Sequence, residues 1–444
     1  MTSDNLMKPV KIGILGLGTV GGGTASVLER NSAEISRRAG REIELVAASV
    51  RDINKKRSDT LKHVKLTLDS NEIVDNPDID IILELIGGTD EAKQLVMRAI
   101  NNGKHVVTAN KALIALHGNE IFAQAQRQGV TVAFEAAVAG GIPIIKAIRE
   151  GLAGNQIHWL AGIINGTGNF ILTEMRDKGR DFADVLKEAQ ALGYAEADPT
   201  FDVEGIDAAH KLCILSSLAF GIPLNFAAVY TEGIGEVSTE DVVYANQLGY
   251  RIKHLGLARR TAEGIEMRVH PTLIPEKRLI ANVDGVMNAV LIQADKLGPS
   301  LYYGAGAGAD PTASAVIADI IDVVRTITTD AQNRVPHLAF QPDQIADIPI
   351  LPITEAVTAY YLRMRVDDRP GVMADITRIM GDNGISIEAI LQKEPESGVT
   401  RATISMLTQK IRERQINAAI GSIAQLDVVH GDVHRIRVES LDGE

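Results

Sequence analysis

A strand that runs directly into a glycine-rich turn and then a helix constrains the fold more than any other segment. Residues 10–15 read VKIGIL, and Gly16, Leu17, Gly18, Thr19, Val20 and Gly21 follow as GLGTVG, with a helical pattern up to residue 30. In such a turn the glycines permit a tight bend, close approach of backbone N–H groups to a pyrophosphate, and close helix packing. The junction predicts a Rossmann-type, doubly wound domain that binds a dinucleotide. A tight turn without a ligand is the alternative.

The end of the second predicted strand, 44–50, indicates which dinucleotide binds. An acidic residue at this position would hold the ribose 2′-hydroxyl of NAD. The sequence instead has Arg51, with further basic residues at 55–57. A guanidinium group pairs well with a phosphate, so we expect Arg51 to bind the 2′-phosphate of NADP. Asp52 keeps NAD as the alternative cofactor, and a solvated basic loop would need neither.

The alternation of strands and helices continues along the first third of the chain. We predict strands at 78–86 and 105–107 with a helix at 91–101 between them. The last strand ends in Thr-Ala-Asn-Lys, at Lys111. Because ligands of parallel α/β sheets bind at the carboxyl ends of the strands, Lys111 is expected to reach the ligand cleft.

An unusually acidic segment, 193–212, reads GYAEADPTFDVEGIDAAHKL. The residue before a proline avoids helical geometry, so Asp198-Pro199 predicts a loop, and a helix is predicted from about Gly205. Asp207 and Lys211 lie four residues apart on that helix and so share one face, where the carboxylate can orient the ammonium as a proton donor. The alternative is the start of a surface helix with an ordinary ion pair.

Two turns of small residues lie between these segments. Residues 134–143 read FEAAVAGGIP, whose backbone carbonyls are free to face a ligand or ion. Residues 163–169 read IINGTGN, which we interpret as a glycine-rich loop with hydroxyl and amide groups, before a helix at 170–178. Ordinary turn chemistry explains both without a ligand. A later run, 304–312, precedes another helical pattern that is expected to return to the nucleotide domain and close over the cofactor.

Charge, hydropathy and cysteine content exclude several classes of protein. With 45 Lys and Arg against 57 Asp and Glu, a net charge of −12 argues against nucleic acid as a partner. No apolar run reaches the length that spans a membrane, so no membrane partner is expected. The one cysteine, Cys213, lies in an apolar run and is expected to pack in a core. These features predict a cytoplasmic enzyme.

The C-terminal segment predicts a separate module. Four prolines within 336–352 indicate a linker. After it, strands are predicted at 361–366, from 384, at 401–407 and at 433–438, with helices at 372–383 and 412–423, in the order βαββαβ. The predicted domains are 1–135, 136–330 with 310–330 returning to the first domain, a linker at 331–355, and 356–444. The fold class is α/β for the first domain and α+β for the second.

Long motifs over residues 10–330 resemble those of the homoserine dehydrogenase family. They are GLGTVG, TANK, EAAVAGGIPI, NGTGNFILTEM, GYAEADPTFDVEGIDAAHKL and YYGAGAGADPTASAV. Gly168 departs from the pattern, since members of that family more often have a hydroxyl-bearing residue there. The resemblance implies NAD(P)-dependent interconversion of L-aspartate 4-semialdehyde and L-homoserine in threonine and methionine biosynthesis.

The resemblance also implies a role for each matching residue. Lys211 is the proton donor, Asp207 orients it, and Lys111 is a second cation beside the nicotinamide. Glu196 receives the substrate ammonium with Asp202 near it, and Thr167 and Tyr194 help to hold the rest of the substrate. The GLGTVG turn, Arg51, Lys111, Gly193 and Gly308 bind the cofactor. A monovalent cation, usually Na⁺, lies at the Glu135 side chain and the carbonyls of Val138, Gly140 and Ile142.

The motifs DRPG and DNGISIEAILQK of the last module resemble those of an ACT domain, which binds amino acids at paired-domain interfaces. The resemblance implies L-threonine as an inhibitory effector near Asp368, Gly371, Val372 and Asn383, in a homodimer or homotetramer. An ACT domain that only dimerises is the alternative. For the whole chain, a non-catalytic sensor of dinucleotide and amino acid is the rival hypothesis, and another amino-acid-aldehyde dehydrogenase is a second.

Overall fold

The first domain is a parallel sheet with helices on both faces. The computed structural model describes residues 8–57, 61–392 and 400–442. Within them the strand order is β3-β2-β1-β4-β5-β6, and each adjacent pair is parallel. The elements are β1 (Val10–Leu15), α1 (Thr19–Arg30), α2 (Ser32–Ala39), β2 (Ile43–Ser49), β3 (Lys65–Thr67), α3 (Ser70–Val74), β4 (Ile81–Glu84), α4 (Asp90–Asn101), β5 (His105–Thr108), α5 (Lys111–Gln128) and β6 (Val132–Ala133).

Alternation along each strand explains why both faces of this sheet are covered. Ile81 and Leu83 of β4 belong to the core under α1 and α2, whereas Ile82 belongs to the core under α4 and α5.

At the turn after β1, a Cβ on Gly21 would lie 2.0 Å from the Gly16 carbonyl oxygen. Only glycine therefore lets α1 start so close to the end of β1, as the GLGTVG motif predicts.

The middle domain places helices against an antiparallel sheet. Its sheet order is β12-β11-β7-β9-β10. The elements are α6 (Ile144–Lys146), β7 (Ile157–Ile163), α7 (Gly166–Lys178), α8 (Phe182–Ala191), α9 (Thr200–Val203), α10 (Ile206–Phe220), β8 (Tyr230–Thr231), α11 (Thr239–Gln247), β9 (Tyr250–Arg260), β10 (Ile265–Pro275), β11 (Met287–Ala294), β12 (Gly298–Ala305) and α12 (Ala309–Thr326). Helix α12 leaves this sheet and packs against α1 of the first domain.

Two predicted loops contain helix. Helix α7 begins at Gly166, four residues before the predicted start, because the Asn165 side chain accepts a hydrogen bond from the Gly168 N–H and caps it. The acidic segment also contains the single turn α9 after Pro199. Helix α10 begins at Ile206, where it was predicted.

The C-terminal module has the predicted βαββαβ order, with one additional two-residue strand. It consists of β13 (Val357–Asp367), α13 (Val372–Asp382), β14 (Ile387–Gln392), β15 (Arg401–Thr408), β16 (Ile411–Arg412), α14 (Glu413–Ile423) and β17 (Val429–Val438). Strand β14 begins at Ile387 instead of residue 384. Lys393, the last residue of the second ACT motif, lies outside the described residues.

The sheets of the middle and C-terminal modules are continuous, which the sequence did not predict. Strand β17 pairs antiparallel with β13 and parallel with β10, where Thr272 lies beside Arg437. Buried ion pairs line this junction. Arg437 contacts Glu413 at 2.6 Å and Glu232 at 2.8 Å. The C-terminal module is therefore joined to the middle domain by backbone hydrogen bonds as well as by buried charges.

The proline-rich segment 331–355 is held against the middle domain. The Ile265 N–H donates to the Pro349 carbonyl, and the Leu351 N–H donates to the Ile265 carbonyl, each at 2.8 Å. The Ala346 N–H donates to the Gly221 carbonyl at 2.8 Å. The predicted linker is thus a strap that pairs with the first residue of β10. Among the described residues, no helix is long and apolar enough to cross a membrane.

Candidate active site

A cleft of about 570 Å³ opens where the first and middle domains meet. Its walls come from the carboxyl end of the parallel sheet, the turn after β6, the starts of α7 and α10, and the loop between β12 and α12. Many of the predicted residues line it: Val20, Lys111, Gly140, Thr167, Gly193, Tyr194, Glu196, Asp202, Asp207, Lys211 and Gly308. The fold therefore gathers residues that are distant in sequence into one cavity.

Two lysines share one carboxylate at the centre of the cleft. Lys211 Nζ lies 2.7 Å from Asp207 Oδ2, and Lys111 Nζ lies 3.1 Å from Asp207 Oδ1. Burial alone would raise the pKa of Asp207, but the charges of Lys211 and Lys111 and the hydrogen bonds it accepts hold that pKa well below its ordinary value. Asp207 is therefore a permanent anion between two cations.

Lys211 is the more enclosed of the two lysines. Its Nζ also donates to the Ile164 carbonyl at 2.6 Å, so two of its three protons have acceptors within the protein. Burial lowers the pKa of Lys211, the charge of Asp207 opposes that shift, and the charge of Lys111 adds to it. A lysine whose pKa moves from about 10.4 towards neutrality is better suited to exchange a proton.

Asn165 links two carboxylates of the cleft, Asp202 and Asp207. The sequence analysis did not assign a role to this residue. Its amide nitrogen donates to Asp202 Oδ1 and Asp207 Oδ2, both at 2.8 Å, while its oxygen caps α7. Burial raises the pKa of Asp202, the bond from Asn165 opposes this shift, and the nearby charge of Asp207 adds to it. The available signal was an asparagine directly after a strand and before Gly-Thr, which is a favoured N-cap position.

The loop 193–196 forms the outer wall of the cleft. Thr167 Oγ1 donates to the Tyr194 carbonyl at 2.6 Å, and the Phe170 ring contacts the Tyr194 ring edge-on with centroids 5.2 Å apart. Glu196 is exposed, and its carboxylate forms no hydrogen bond or ion pair with the part of the chain that the structure describes. It is therefore free to accept a cationic group in the cleft.

A second cavity, of about 670 Å³, adjoins the glycine turn. Gly16, Leu17, Gly18 and Arg51 line it, while Thr19 to Gly21 begin α1. Arg57 also lines this cavity, but its guanidinium is already hydrogen-bonded within the loop. It donates to the carbonyls of Asp52 at 2.6 Å and Lys55 at 2.9 Å. Arg51, by contrast, is exposed and has no hydrogen-bonding or ionic partner among the described residues.

Glu84 is a second residue that the sequence reasoning missed. It lies fully buried at the end of β4 and accepts hydrogen bonds from the N–H groups of Ile86 at 3.1 Å and Gly87 at 3.3 Å. Thr108 Oγ1 donates to its other oxygen at 2.6 Å. Burial raises its pKa. Glu84 thus ties the carboxyl ends of β4 and β5 together.

The turn predicted to hold a monovalent cation is buried and internally braced. Both oxygens of Glu135 accept backbone N–H groups, from Ile145 at 2.8 Å and Lys146 at 2.7 Å. The Ile142 carbonyl accepts the Ile144 N–H at 2.7 Å. Within the described residues, the carbonyls of Val138 and Gly140 accept no hydrogen bond.

The chemistry of this turn suits a hard cation held partly by the backbone. Burial raises the pKa of Glu135, and burial together with the charge of Glu135 raises that of Asp319, which accepts the Glu135 N–H at 2.8 Å. No group of three or more His, Cys, Asp or Glu side chains in the described ranges could hold a metal. A cation at Glu135 would therefore depend on carbonyl oxygens, which Na⁺ accepts as ligands.

The four predicted effector residues lie at opposite ends of one helix. Gly371 and Val372 begin α13, Asp368 is exposed just before it, and Asn383 caps its carboxyl end by donating to the Ile379 carbonyl at 2.8 Å. At 1.5 Å per residue, Gly371 and Asn383 are about 18 Å apart. One chain therefore does not bring all four together, because a helix separates its own ends.

A dinucleotide turn beside a cleft that holds two lysines and several carboxylates defines a nicotinamide-dependent oxidoreductase acting on a small polar substrate. Comparison with known proteins specifies the class. Three protein-family models match the chain. The family model described as "Homoserine dehydrogenase, NAD binding domain" matches residues 16–135, and the homoserine dehydrogenase family model matches residues 143–321. The ACT domain family model matches residues 360–427.

Full-length relatives agree with these models. A homoserine dehydrogenase of Pseudomonas aeruginosa is 63% identical over 436 residues, which cover 98% of this chain and 100% of that protein. The crystal structure of a homoserine dehydrogenase from Thiobacillus denitrificans matches with a TM-score of 0.94 and 64% identity, covering 98% of this chain and 99% of that one. A hyperthermophilic archaeal homoserine dehydrogenase, solved in complex with NADPH, matches with a TM-score of 0.61 and 28% identity over 71% of this chain and 98% of that one. The chain belongs to the homoserine dehydrogenase family.

Proposed function

We propose that this homoserine dehydrogenase interconverts L-aspartate 4-semialdehyde and L-homoserine with Lys211 as the proton donor and NADP as the preferred dinucleotide. The observation that carries the proposal is the shared carboxylate, with Lys211 at 2.7 Å and Lys111 at 3.1 Å from Asp207. A non-catalytic sensor has no need to bury a lysine with a lowered pKa beside a permanent anion.

The chain's own residues account for the proton chemistry. A bound nicotinamide would supply the hydride to the aldehyde carbon, or accept it in the reverse direction. As the carbonyl oxygen gains negative charge, Lys211 Nζ transfers a proton to it, and the neutral amine then takes a proton from water. Asp207 holds Lys211 in place through the transfer, and Lys111 adds positive charge near the developing alkoxide.

The substrate's ammonium group finds its partners on the outer wall of the cleft. Glu196 has a free carboxylate there, and Asp202 faces the same cavity with one oxygen held by Asn165. Thr167 contributes by fixing the backbone of Tyr194, since its hydroxyl proton is already donated. An L-amino acid with a short aldehyde or alcohol side chain suits a cavity that offers carboxylates to its ammonium group and lysines to its oxygen atoms.

Arg51 supports NADP as the preferred cofactor. Its guanidinium is unpaired among the described residues and lines the cavity beside the glycine turn. Asp52, the residue that would favour NAD, accepts the Asn54 N–H at 2.8 Å and is thereby used to shape the loop. The archaeal homoserine dehydrogenase solved in complex with NADPH supports this choice.

A monovalent cation, Na⁺ by our proposal, would bind at Glu135 and the carbonyls of Val138, Gly140 and Ile142. The support is the buried Glu135 carboxyl group beside the carbonyls of Val138 and Gly140, which accept no hydrogen bond from the described residues, and the left-handed backbone of Ala139 between them, with φ of 51°. The turn joins the two domains, so a cation there would stabilise the hinge and take no part in proton transfer.

For the C-terminal module we propose inhibition by L-threonine, with an ACT domain that only dimerises as the alternative. Because Asn383 and Gly371 lie at opposite ends of α13, the proposed site would combine residues from two copies in a homodimer or homotetramer. The sheet shared by β10 and β17 offers a direct connection from the module to the middle domain.

We place the enzyme in the cytoplasm on the basis of its single cysteine.

Spectrophotometry of the reduced nicotinamide tests these proposals together. Purified protein is mixed with L-homoserine and either NADP or NAD, with and without L-threonine. Reduction that is faster with NADP and is suppressed by L-threonine supports the proposal. The Lys296→Ala variant, whose lysine is exposed far from the cleft, is the matched control for Lys211→Ala. Absence of turnover with both dinucleotides would favour the sensor.

A further inference from the structure

Asn288 presents an unpaired amide to the active-site cleft. It lies on β11 opposite Gly304 of β12, and its side chain is only 1% exposed. Its Oδ1 is buried and accepts no hydrogen bond from the described residues, and its amide nitrogen donates none to them. Buried amides are almost always hydrogen-bonded, so one that faces a binding cavity without a partner indicates a ligand group.

The loop after β12 is shaped around this amide. A Cβ on Gly306 would lie 2.0 Å from Asn288 Nδ2 and 2.1 Å from its Cγ. Any side chain at 306 would therefore displace the amide from its place. The absence of a side chain at Gly306 and the unpaired amide of Asn288 together form a small polar recess in the wall of the cleft.

This recess lies on the side of the cleft that faces the dinucleotide domain. The loop 305–308 continues into α12, and a Cβ on Gly23 of α1 would lie 2.9 Å from the Ala309 carbonyl oxygen. The Gly306 carbonyl also borders the domain-joining turn, 3.0 Å from a Cβ placed on Gly140. The loop that borders the recess thus continues directly into contact with α1, the helix that begins within the GLGTVG turn.

The chemistry of the unpaired group identifies its ligand. A primary amide offers both an acceptor and a donor, which another primary carboxamide matches in both directions. The substrate ammonium has donors only, and the free acids Glu196 and Asp202 already suit it. We propose that Asn288 binds the carboxamide of the nicotinamide ring and so fixes the rotation of that ring. This inference rests on the proposed function.

A cofactor analogue separates this role from a structural one. The 3-acetylpyridine analogue of NADP has a methyl ketone in place of the carboxamide, so it cannot donate to Asn288 Oδ1. Calorimetric dissociation constants are measured for NADP and the analogue with the unaltered protein, with Asn288→Ala and with Asn288→Leu, which keeps the side-chain volume. Asn246→Ala, an exposed asparagine of the same domain, is the control.

We expect the unaltered protein and the control to bind NADP roughly fivefold to tenfold more tightly than the analogue. In both Asn288 variants the ratio moves towards one, because NADP loses two hydrogen bonds whereas the analogue, whose ketone can only accept, loses one. A ratio that is unchanged in the variants overturns the inference. An unchanged ratio with a higher KM for L-homoserine would instead assign Asn288 to the substrate.

The same measurements distinguish failure of this inference from failure of the proposed function. If the unaltered protein binds neither dinucleotide, the proposed function is wrong. If it binds and turns over NADP while the ratio does not depend on residue 288, only the role of Asn288 is wrong. Asn288→Leu keeps the test valid even if the alanine variant fails to fold.

Discussion

Lys111 and Lys211 share the two oxygens of one carboxylate although they come from different domains. Lys111 begins α5 of the nucleotide domain, whereas Lys211 lies on α10 of the middle domain with its partner Asp207. The ion pair therefore bridges the cleft in which the substrate is proposed to bind. This arrangement of two ammonium groups on one carboxylate therefore exists only when both domains are in place.

Replacing Lys211 by alanine should lower kcat by roughly two to four decades, since the proton donor is removed. The dissociation constant of NADP, measured by calorimetry, is expected to stay within about a factor of two. Lys296→Ala should change neither quantity. Loss of NADP binding equal to the loss of turnover would show that Lys211 holds the structure instead.

The pH dependence should follow the charge of Lys211. Aldehyde reduction requires the ammonium form, so kcat should fall as the pH rises through the lowered pKa of Lys211. Asp207 stabilises that ammonium, and Asp207→Asn should therefore move this alkaline limb to lower pH. A limb that stays in place or moves upward in the variant would contradict the assignment.

Asn165→Ala should weaken both folding and substrate binding. Loss of the α7 cap is expected to cost about 1 kcal/mol in the free energy of unfolding, measured in urea. Asp202 and Asp207 also lose their common donor, so the KM for L-homoserine should rise. Ser238→Ala removes the cap of α11, lines neither the cleft nor the cavity beside the glycine turn, and should affect stability alone. A normal KM in Asn165→Ala would limit the residue to capping.

Arg51→Ala should weaken NADP binding by roughly tenfold to a hundredfold, the range for a charge-assisted hydrogen bond. Binding of NAD, which lacks the 2′-phosphate, should hardly change. Calorimetry with both dinucleotides measures the difference. Arg37→Ala, on the exposed face of α2, is the control. Equal losses for NADP and NAD would indicate that Arg51 only shapes the loop.

Arg437→Ala should destabilise the junction of the two sheets. It leaves Glu413 buried without this partner, and breaking such a pair typically costs about 3–5 kcal/mol. Arg412→Ala breaks a more exposed pair with Glu355 and should cost at most about 1 kcal/mol. Urea unfolding compares the two variants. Similar costs for both would show that the junction contributes little to stability.

Local patterns were enough to predict the nucleotide domain and the C-terminal module. The GLGTVG turn, the alternation of strands and helices and the βαββαβ order depend on the residues of each segment and their neighbours, so the sequence displays them directly. The Asp207–Lys211 pair was predicted for the same reason, because residues four apart share one face of a helix. Element boundaries were less certain, as the early start of α7 shows.

The amino-acid sequence by itself determined the fold class, the dinucleotide turn and the oriented lysine on α10. Only the tertiary structure showed that Lys111 reaches the same carboxylate, that Asn165 joins Asp202 to Asp207, that Glu84 ties two strands together, and that β17 pairs with β10. The physical reason is that side-chain hydrogen bonds and strand pairings act over a few ångströms in space between residues far apart in the chain. Such contacts leave no periodic pattern in the sequence and exist only once the domains have packed.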